Sequence, residues 1–317
     1  MKDWTDEWDV TGQTIWTHVK RMMLTIWTHI KRLILPAAII LMLAIVAGLA
    51  LRGYAKASDD EFILARHTKL LYPVARVNDA GSGTIIYSKL TDGDKYSTWV
   101  LTNHHVIEDK IKIEEEWDSY IQKNVKREKR EIVYVEIFQY RDISTPVGTM
   151  KVEGKIEAYS KDGDMALIKL STETQQPYVA VLCPKDNVDD LKVFDTSYAV
   201  GCSLGFPPIP TIGTITRLNF YISSLPYHMS SSQIIFGNSG GAMYDGQYRF
   251  IGIPSRVAVY GWASAATHMG LFIPIKQIYK WFDNEHLEFL YDGNKTETEC
   301  LKAREEAINK KKKEEDK

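Results

Sequence analysis

The chain has 317 residues, a formal net charge of −2, 44% hydrophobic and 25% charged residues, a globular composition that excludes collagen-like, disordered and disulfide-scaffold classes. The near balance of charge argues against a nucleic-acid binder, which carries a basic excess. Three cysteines, Cys183, Cys202 and Cys300, with no C-x-x-C spacing, offer neither a disulfide framework nor a zinc site, and no metal or organic cofactor is expected.

The first element is a repeat. TIWTHVKRMML (14–24) is followed by TIWTHIKRLIL (25–35). An eleven-residue period is about three helical turns, so Trp16 and Trp27 fall on nearly one face, as do the Lys-Arg pairs. Such a helix over 1–32 suits the headgroup level of a bilayer, or is a plain helical extension. Residues 33–51 then run without a charge. At 1.5 Å per residue they extend about 28 Å, close to the hydrocarbon thickness, and are expected to form a single transmembrane helix. A cleaved signal peptide ending at Ala55-Lys56-Ala57 is the rival, but both the lead and the apolar run are long for one. Positive charges on the two flanks nearly tie. Lys31 and Arg32 at the immediate edge favour a cytoplasmic N-terminus, with the rest of the chain extracytoplasmic. Residues 52–65 are expected to be a linker.

From 66 to 292 short β-branched and aromatic runs alternate with turn signals, among them TIIYS, STWVLT, IVYVEIFQY and MALIKL. Many short strands without intervening helical periods predict an all-β barrel or sandwich, and Asp92-Gly93 a hairpin turn. Residues 274–290 read as an amphipathic helix with Ile275, Ile278, Trp281 and Phe282 on one side. Two segments are charge-dense: 15 of the 24 residues at 108–131 and 13 of the 19 at 299–317. The first is expected to be a solvated insertion, with helix one of the forms open to it and an exosite as its functional alternative. The second, within 293–317, is expected to be a frayed helix passing into a disordered tail.

Three passages carry chemistry. Gly237-Asn238-Ser239-Gly240-Gly241 surrounds a serine with glycines that permit a tight turn and leave N–H groups free to meet an oxyanion. It is not the G-x-S-x-G elbow of the α/β-hydrolases. Thr102-Asn103-His104-His105-Val106 ends an apolar strand in histidine, and Asp162-Gly163-Asp164-Met165-Ala166-Leu167-Ile168-Lys169 places aspartates before another. Each alone has a bland reading, as a satisfied core histidine or a turn aspartate. Together they supply a hydroxyl nucleophile, an imidazole base and an orienting carboxylate, in the chain order His, Asp, Ser.

With these motifs the chain resembles a trypsin/chymotrypsin-fold serine protease of the HtrA/Deg-like branch. That branch carries T-N-x-H-V, D-x-A-L-[IL]-K and G-N-S-G-G, found here at Thr102–Val106, Asp164–Lys169 and Gly237–Gly241. Gly81-Ser82-Gly83, Ala199-Val200-Gly201 with Gly205, and Gly270-Leu271-Phe272-Ile273-Pro274 are further echoes. The resemblance covers about 70–280. It implies two six-stranded antiparallel β-barrels, about 66–172 and 173–275, with the C-terminal helix 274–290. It implies His105, Asp164 and Ser239 as the triad, with the oxyanion hole at Gly237, Asn238 and Ser239, its donors the N–H groups of Gly237 and Ser239. His104 occupies the variable position, and Asp162 lies outside the motif.

Digestive relatives carry an aspartate before the nucleophile that pairs with a newly cut N-terminus. Asn238 cannot make that ion pair, so activation without N-terminal cleavage is expected. The PDZ domain common in the branch does not fit the polar residues after Trp281. By position, Gln233, Ile234, Ile235, Ser255, Val257 and Gly270 border the primary pocket. They lack an acidic residue, so cleavage after small or medium apolar residues is expected rather than after Arg or Lys. A Cys183–Cys202 disulfide is conceivable, with separate buried thiols preferred. The expected function is a membrane-anchored serine endopeptidase, in extracytoplasmic quality control or regulated proteolysis by analogy. Its expected partners are a protein or peptide substrate and the bilayer through 33–51, no nucleic acid, with self-association left open. The alternative is a catalytically silent protease-fold peptide-binding module.

Overall fold

The computed structural model describes residues 5–91, 93, 95–120, 122–260 and 264–315, with the side chains of 5–14, 33–40, 47, 49–59, 118, 260, 311–313 and 315 outside the description. The chain divides into two compact units, one up to Phe62 and one from Ile63 to Lys317.

The N-terminal unit is helical, within α1 (Thr5–Arg66). Both copies of the repeat make the same internal contact: Lys20 lies 5.6 Å from the Trp16 ring centroid and Lys31 5.2 Å from that of Trp27. This is the i,i+4 neighbourhood of a helix face. The span expected at 33–51 and the linker expected at 52–65 are both part of this continuous helix. Many of their side chains lie outside the described residues; Leu41, Met42, Leu43, Ile45 and Val46 are described and exposed. Among the described residues no helix is long and apolar enough to cross a membrane.

The second unit is built from two closed antiparallel barrels. The first contains β1 (Val74–Val77), β2 (Gly81–Leu90), β3 (Tyr96–Thr102), β6 (Val133–Arg141), β7 (Thr145–Ser160) and β8 (Met165–Leu170), in the order β1-β2-β3-β8-β7-β6. The hairpin expected between β2 and β3 forms, with Leu90 opposite Tyr96; Asp92 of its turn lies outside the described residues. The second barrel contains β9 (Thr196–Gly201), β10 (Ile209–Ile222), β11 (Leu225–Ser230), β12 (Ala242–Asp245), β13 (Phe250–Tyr260) and β14 (Ser264–Pro274), in the order β10-β11-β14-β13-β12-β9.

The period of two in strand side chains explains the packing. In β3, Val100 enters the core of the first barrel, while Trp99 and Leu101 join the core shared with the second barrel and the C-terminal helices. In β8, Ala166, Ile168 and Leu170 face the first core and Met165 and Leu167 the other. Strands buried on both faces read as continuous apolar runs, which is why STWVLT and MALIKL stand out in the sequence. Helix α2 (Ile275–Asn284) follows β14 and buries Ile275, Ile278, Tyr279, Trp281 and Phe282.

The two charge-rich segments both take regular structure. The charge-rich insertion is a hairpin, β4 (Ile111–Asp118) paired with β5 (Lys123–Arg130), rather than a helix. Alternation puts Glu114 and Lys129, and Glu116 and Arg127, on one face as cross-strand ion pairs, so the charges are satisfied across the ladder and not along a helix. The other face carries Ile113 and Trp117, both exposed. Its base is held by Arg130, which donates to the carbonyls of Ile156 (2.9 Å) and Glu157 (3.0 Å).

The C-terminal segment is helical over α3 (Glu297–Glu315), and residues 316–317 lie outside the described residues. Its first turn is anchored by Glu297, whose buried carboxylate accepts from Ser97 (2.9 Å) and Lys169 (2.7 Å), with Cys300 buried beside it. A charged residue stays buried only when paired, and its partners come from β3 and β8, far away in sequence.

Candidate active site

Asp164 ends the turn between β7 and β8 with φ of 52°, a left-handed conformation that aspartate tolerates better than most residues. Its N–H bonds to the Lys161 carbonyl, and its own carbonyl accepts from Asn103 Nδ2 at 2.7 Å. The turn is thus locked to the residue that follows β3. Asn103 leads into a short 3₁₀ turn, 104–106, that carries both histidines.

The two histidines go opposite ways. His105 places Nδ1 at 2.9 and 3.0 Å from the two Asp164 carboxylate oxygens, and its backbone N–H donates to Oδ1 at 3.1 Å. A carboxylate only accepts, so Nδ1 carries a proton, and in the neutral ring Nε2 then bears the lone pair. The His105 side chain is 42% exposed. His104 is buried against the Tyr159 ring, 5.2 Å between centroids, and burial pushes its pKa down. Asp162 is exposed. The structure therefore pairs His105 with Asp164 and leaves His104 and Asp162 out of the pair.

Burial alone would push the Asp164 carboxyl up. The hydrogen bond and charge of His105, joined by a 2.7 Å bond from Ser255 Oγ, outweigh burial and hold it below the usual carboxylate range. The Ser255 hydroxyl is thus committed to Asp164, a partner that its position in the sequence does not reveal.

Ser239 sits between β11 and β12. Its carbonyl accepts from Ser82 N–H (2.8 Å), and the next residue, Gly240, donates its N–H to the Pro254 carbonyl (3.1 Å). Gly240 has φ of +84°, and a Cβ there would lie 2.1 Å from the Ser82 carbonyl oxygen and 2.2 Å from Thr102 Oγ1. The turn therefore seats against the start of β2 and the end of β3, the strand that leads to His105, and against the residue before Ser255. Among the described residues no hydrogen bond joins Ser239 to His105. Such bonds are often long in free enzymes and tighten with substrate.

The same turn leaves donors unused. Gly237, with φ of +94°, and Ser239 donate their N–H groups to no partner among the described residues, whereas Asn238 N–H is taken by the Ile235 carbonyl at 3.1 Å. A Cβ at Gly237 would come 2.4 Å from the Cys202 carbonyl oxygen and 2.6 Å from Leu204 N, so only glycine fits. The buried Asn238 side chain is held through Oδ1 by Ser203 Oγ at 2.7 Å.

The pocket residues are only partly convergent. Ile234 is buried and fills the space over Gly270, where a Cβ would meet Ile234 Cδ1 at 2.5 Å. Val257 pairs with Gly270 across β13 and β14. Gln233 is exposed and Ile235 half-buried, its N–H directed to Asn238 Oδ1 at 3.4 Å. The three cysteines are buried free thiols, and burial pushes that of Cys202 up to about 12.

Residues 81–253 match the family described as the trypsin-like peptidase domain. Protease Do-like 5, chloroplastic, of Arabidopsis thaliana is 29% identical over 135 residues, 40% of this chain and 41% of the relative. The chain therefore spans about two fifths of that curated relative's length. Among solved structures, the HtrA-type protease AlgW with a decapeptide is similar at a TM-score of 0.51 and 16% identity, over 69% of this chain and 66% of that one. This likeness concerns the fold. A crystal structure of Deg5 is similar at a TM-score of 0.48 and 22% identity, over 71% and 92%. The family match covers more than half of the chain and includes His105, Asp164 and Ser239, and the chain belongs to the trypsin-like peptidase domain family.

Proposed function

We propose that the protein is a membrane-anchored serine endopeptidase. The observation that carries this reading is the Asp164–His105 pair, locked to the same backbone that seats a serine turn with two unused N–H donors. In the proposed reaction Ser239 Oγ adds to the scissile carbonyl carbon and its proton passes to His105 Nε2. Asp164 holds the ring and stabilises the imidazolium. The carbonyl π electrons move to oxygen, and the oxyanion is met by the N–H groups of Gly237 and Ser239. Collapse breaks the C–N bond and the amine leaves with the proton from His105. Water, deprotonated by the same imidazole, then cleaves the acyl-enzyme ester.

Ile234 over Gly270 supports a shallow primary pocket and cleavage after small or medium apolar residues. The uncharged Asn238, held through Oδ1 by Ser203, cannot form an ion pair with a new N-terminus, which supports activity without N-terminal cleavage. The uncharged run 33–51 within a continuous helix supports an anchor, with the N-terminus cytoplasmic and the barrels extracytoplasmic. The decapeptide bound in the AlgW structure supports a peptide substrate, and the chloroplastic relative supports a site of action outside the cytosol, in quality control or regulated proteolysis.

A fluorophosphonate probe on the full-length protein is expected to label Ser239, located by mass spectrometry, and a peptide library to be cut after apolar residues. Absence of label on folded protein would sink the enzyme reading, and a library profile led by Arg, Lys or Glu would sink the pocket reading. The anchor is tested by alkaline carbonate extraction of membranes: the full chain is expected in the pellet and a chain beginning at Ile63 in the supernatant. Full extraction of both removes the anchor.

A further inference from the structure

We infer that Ser82 is a positioning residue that presets the oxyanion turn through its side-chain hydroxyl; this rests on the protease reading above. Ser82 is fully buried near the start of β2, between two glycines. Every polar atom it owns is engaged. Its hydroxyl donates to the Gly237 carbonyl at 2.6 Å and accepts the Cys202 N–H at 2.7 Å. Its backbone N–H donates to the Ser239 carbonyl at 2.8 Å, and its carbonyl accepts from Thr102 Oγ1 at 2.6 Å. One residue of the first barrel thus grips the second-barrel turn at Gly237 and at Ser239, the two residues whose N–H groups are unused.

The geometry makes the hydroxyl specific. The Gly237–Asn238 peptide plane is held on one side by Ser82 through the Gly237 oxygen and on the other by the Ile235 carbonyl through the Asn238 N–H. Holding that plane sets the course of the backbone between the two free donors. The neighbouring backbones are too close for a substitute contact: a Cβ on Gly201 would lie 2.8 Å from Asn238 Cα and 3.1 Å from Ser82 Oγ. Without the hydroxyl, the Gly237 carbonyl and the Cys202 N–H lose this partner, and a buried polar group without a partner seeks another by rotation. The donors then leave the place where negative charge develops. That loss falls on the transition state rather than on substrate binding.

The test compares Ser82→Ala with Ser97→Ala in the full-length protein. Ser97 is an equally buried serine with two side-chain hydrogen bonds, to Glu297 and Trp99, and has no contact with the turn. Both variants are expected to lower the melting temperature. Only Ser82→Ala is expected to lower kcat, roughly 10- to 100-fold with KM within about twofold. Its affinity for a peptidyl trifluoromethyl ketone is expected to fall by the same factor. Ser239 Oγ adds to the ketone carbon of this inhibitor, whose oxygen becomes an oxyanion while the proton passes to His105. Binding of the matching reduced-amide peptide, which has no carbonyl there, is expected to stay within twofold.

Ser82→Cys keeps a weaker donor at the same place and is expected to give an intermediate kcat; it carries the comparison if the alanine variant does not fold. Wild-type kcat in folded Ser82→Ala or Ser82→Cys overturns the role, as does a fall in kcat matched by Ser97→Ala, with the protease reading intact in either case. A wild-type protein that neither turns over peptide nor takes the fluorophosphonate label removes both.

Discussion

Replacing Ser239 by alanine is expected to lower kcat about a millionfold while leaving the folded domain as stable as before. The magnitude is that of losing a nucleophile whose base and carboxylate then have nothing to activate. The stability expectation comes from the site itself. Ser239 Oγ makes no hydrogen bond among the described residues, and the turn is held through backbone atoms: the Ser239 carbonyl by Ser82, the Gly240 N–H by Pro254, and the Gly241 N–H by Asn238. Alanine keeps all of these. A residual rate of about 10³–10⁴ over water is expected to survive, because the Gly237 and residue-239 N–H groups remain. Steady-state hydrolysis of a chromogenic peptide, beside a thermal melt, reads both quantities. Retention of even 1% of wild-type kcat in a preparation free of contaminating protease would overturn the assignment of Ser239.

Asp164→Asn is expected to lower kcat by about 10⁴ at neutral pH. The carboxylate receives three donors, from the His105 ring, the His105 backbone and Ser255. An amide offers one acceptor oxygen and one donor nitrogen in the same space. The donor end competes for His105 Nδ1, and where it wins the proton moves to Nε2, the wrong tautomer for accepting from Ser239. In every tautomer the negative charge that stabilises the imidazolium is gone.

The same residue makes a stability prediction. The folded-state pKa of Asp164 is depressed below its ordinary value of 3.8. Its stabilisation is therefore complete above that ordinary value and is lost as pH falls through the lower folded one. The stability gap between wild type and Asp164→Asn, read by urea titration, is expected to be widest near neutrality and to close on the acid side of pH 4. A gap that widens toward acid would mean the carboxylate is not held in its charged form.

The two substitutions bear on residues that local motifs made visible. His105, Asp164 and Ser239 each stand in a short run whose neighbours are dictated by backbone geometry: an apolar strand end, a turn with positive φ, glycines where a Cβ would strike carbonyl oxygens. Those requirements act over a few residues and leave a mark in the sequence. The partners that hold the site leave none. Ser255 reaches Asp164 across 91 positions and Ser82 reaches Gly237 across 155. A serine carries no sign of which distant group it will face.

The charged segments follow the same rule. Dense alternating charge at 108–131 is compatible with helix or hairpin. The hairpin forms because its pairs match across the ladder and because Arg130 finds carbonyls on β7. The C-terminal run looks solvated until Glu297 is seen between Ser97 and Lys169. The sequence by itself determined an all-β barrel or sandwich, through short strand runs between turn signals, and carried the three motifs whose resemblance implies two six-stranded barrels and points to His105, Asp164 and Ser239. The tertiary structure alone decided which serine reaches Asp164, which serine grips the Gly237–Gly241 turn, and how the charged segments fold. Each of those outcomes is set by hydrogen bonds and ion pairs between groups far apart in the chain, whose worth depends on burial that only the assembled barrels supply.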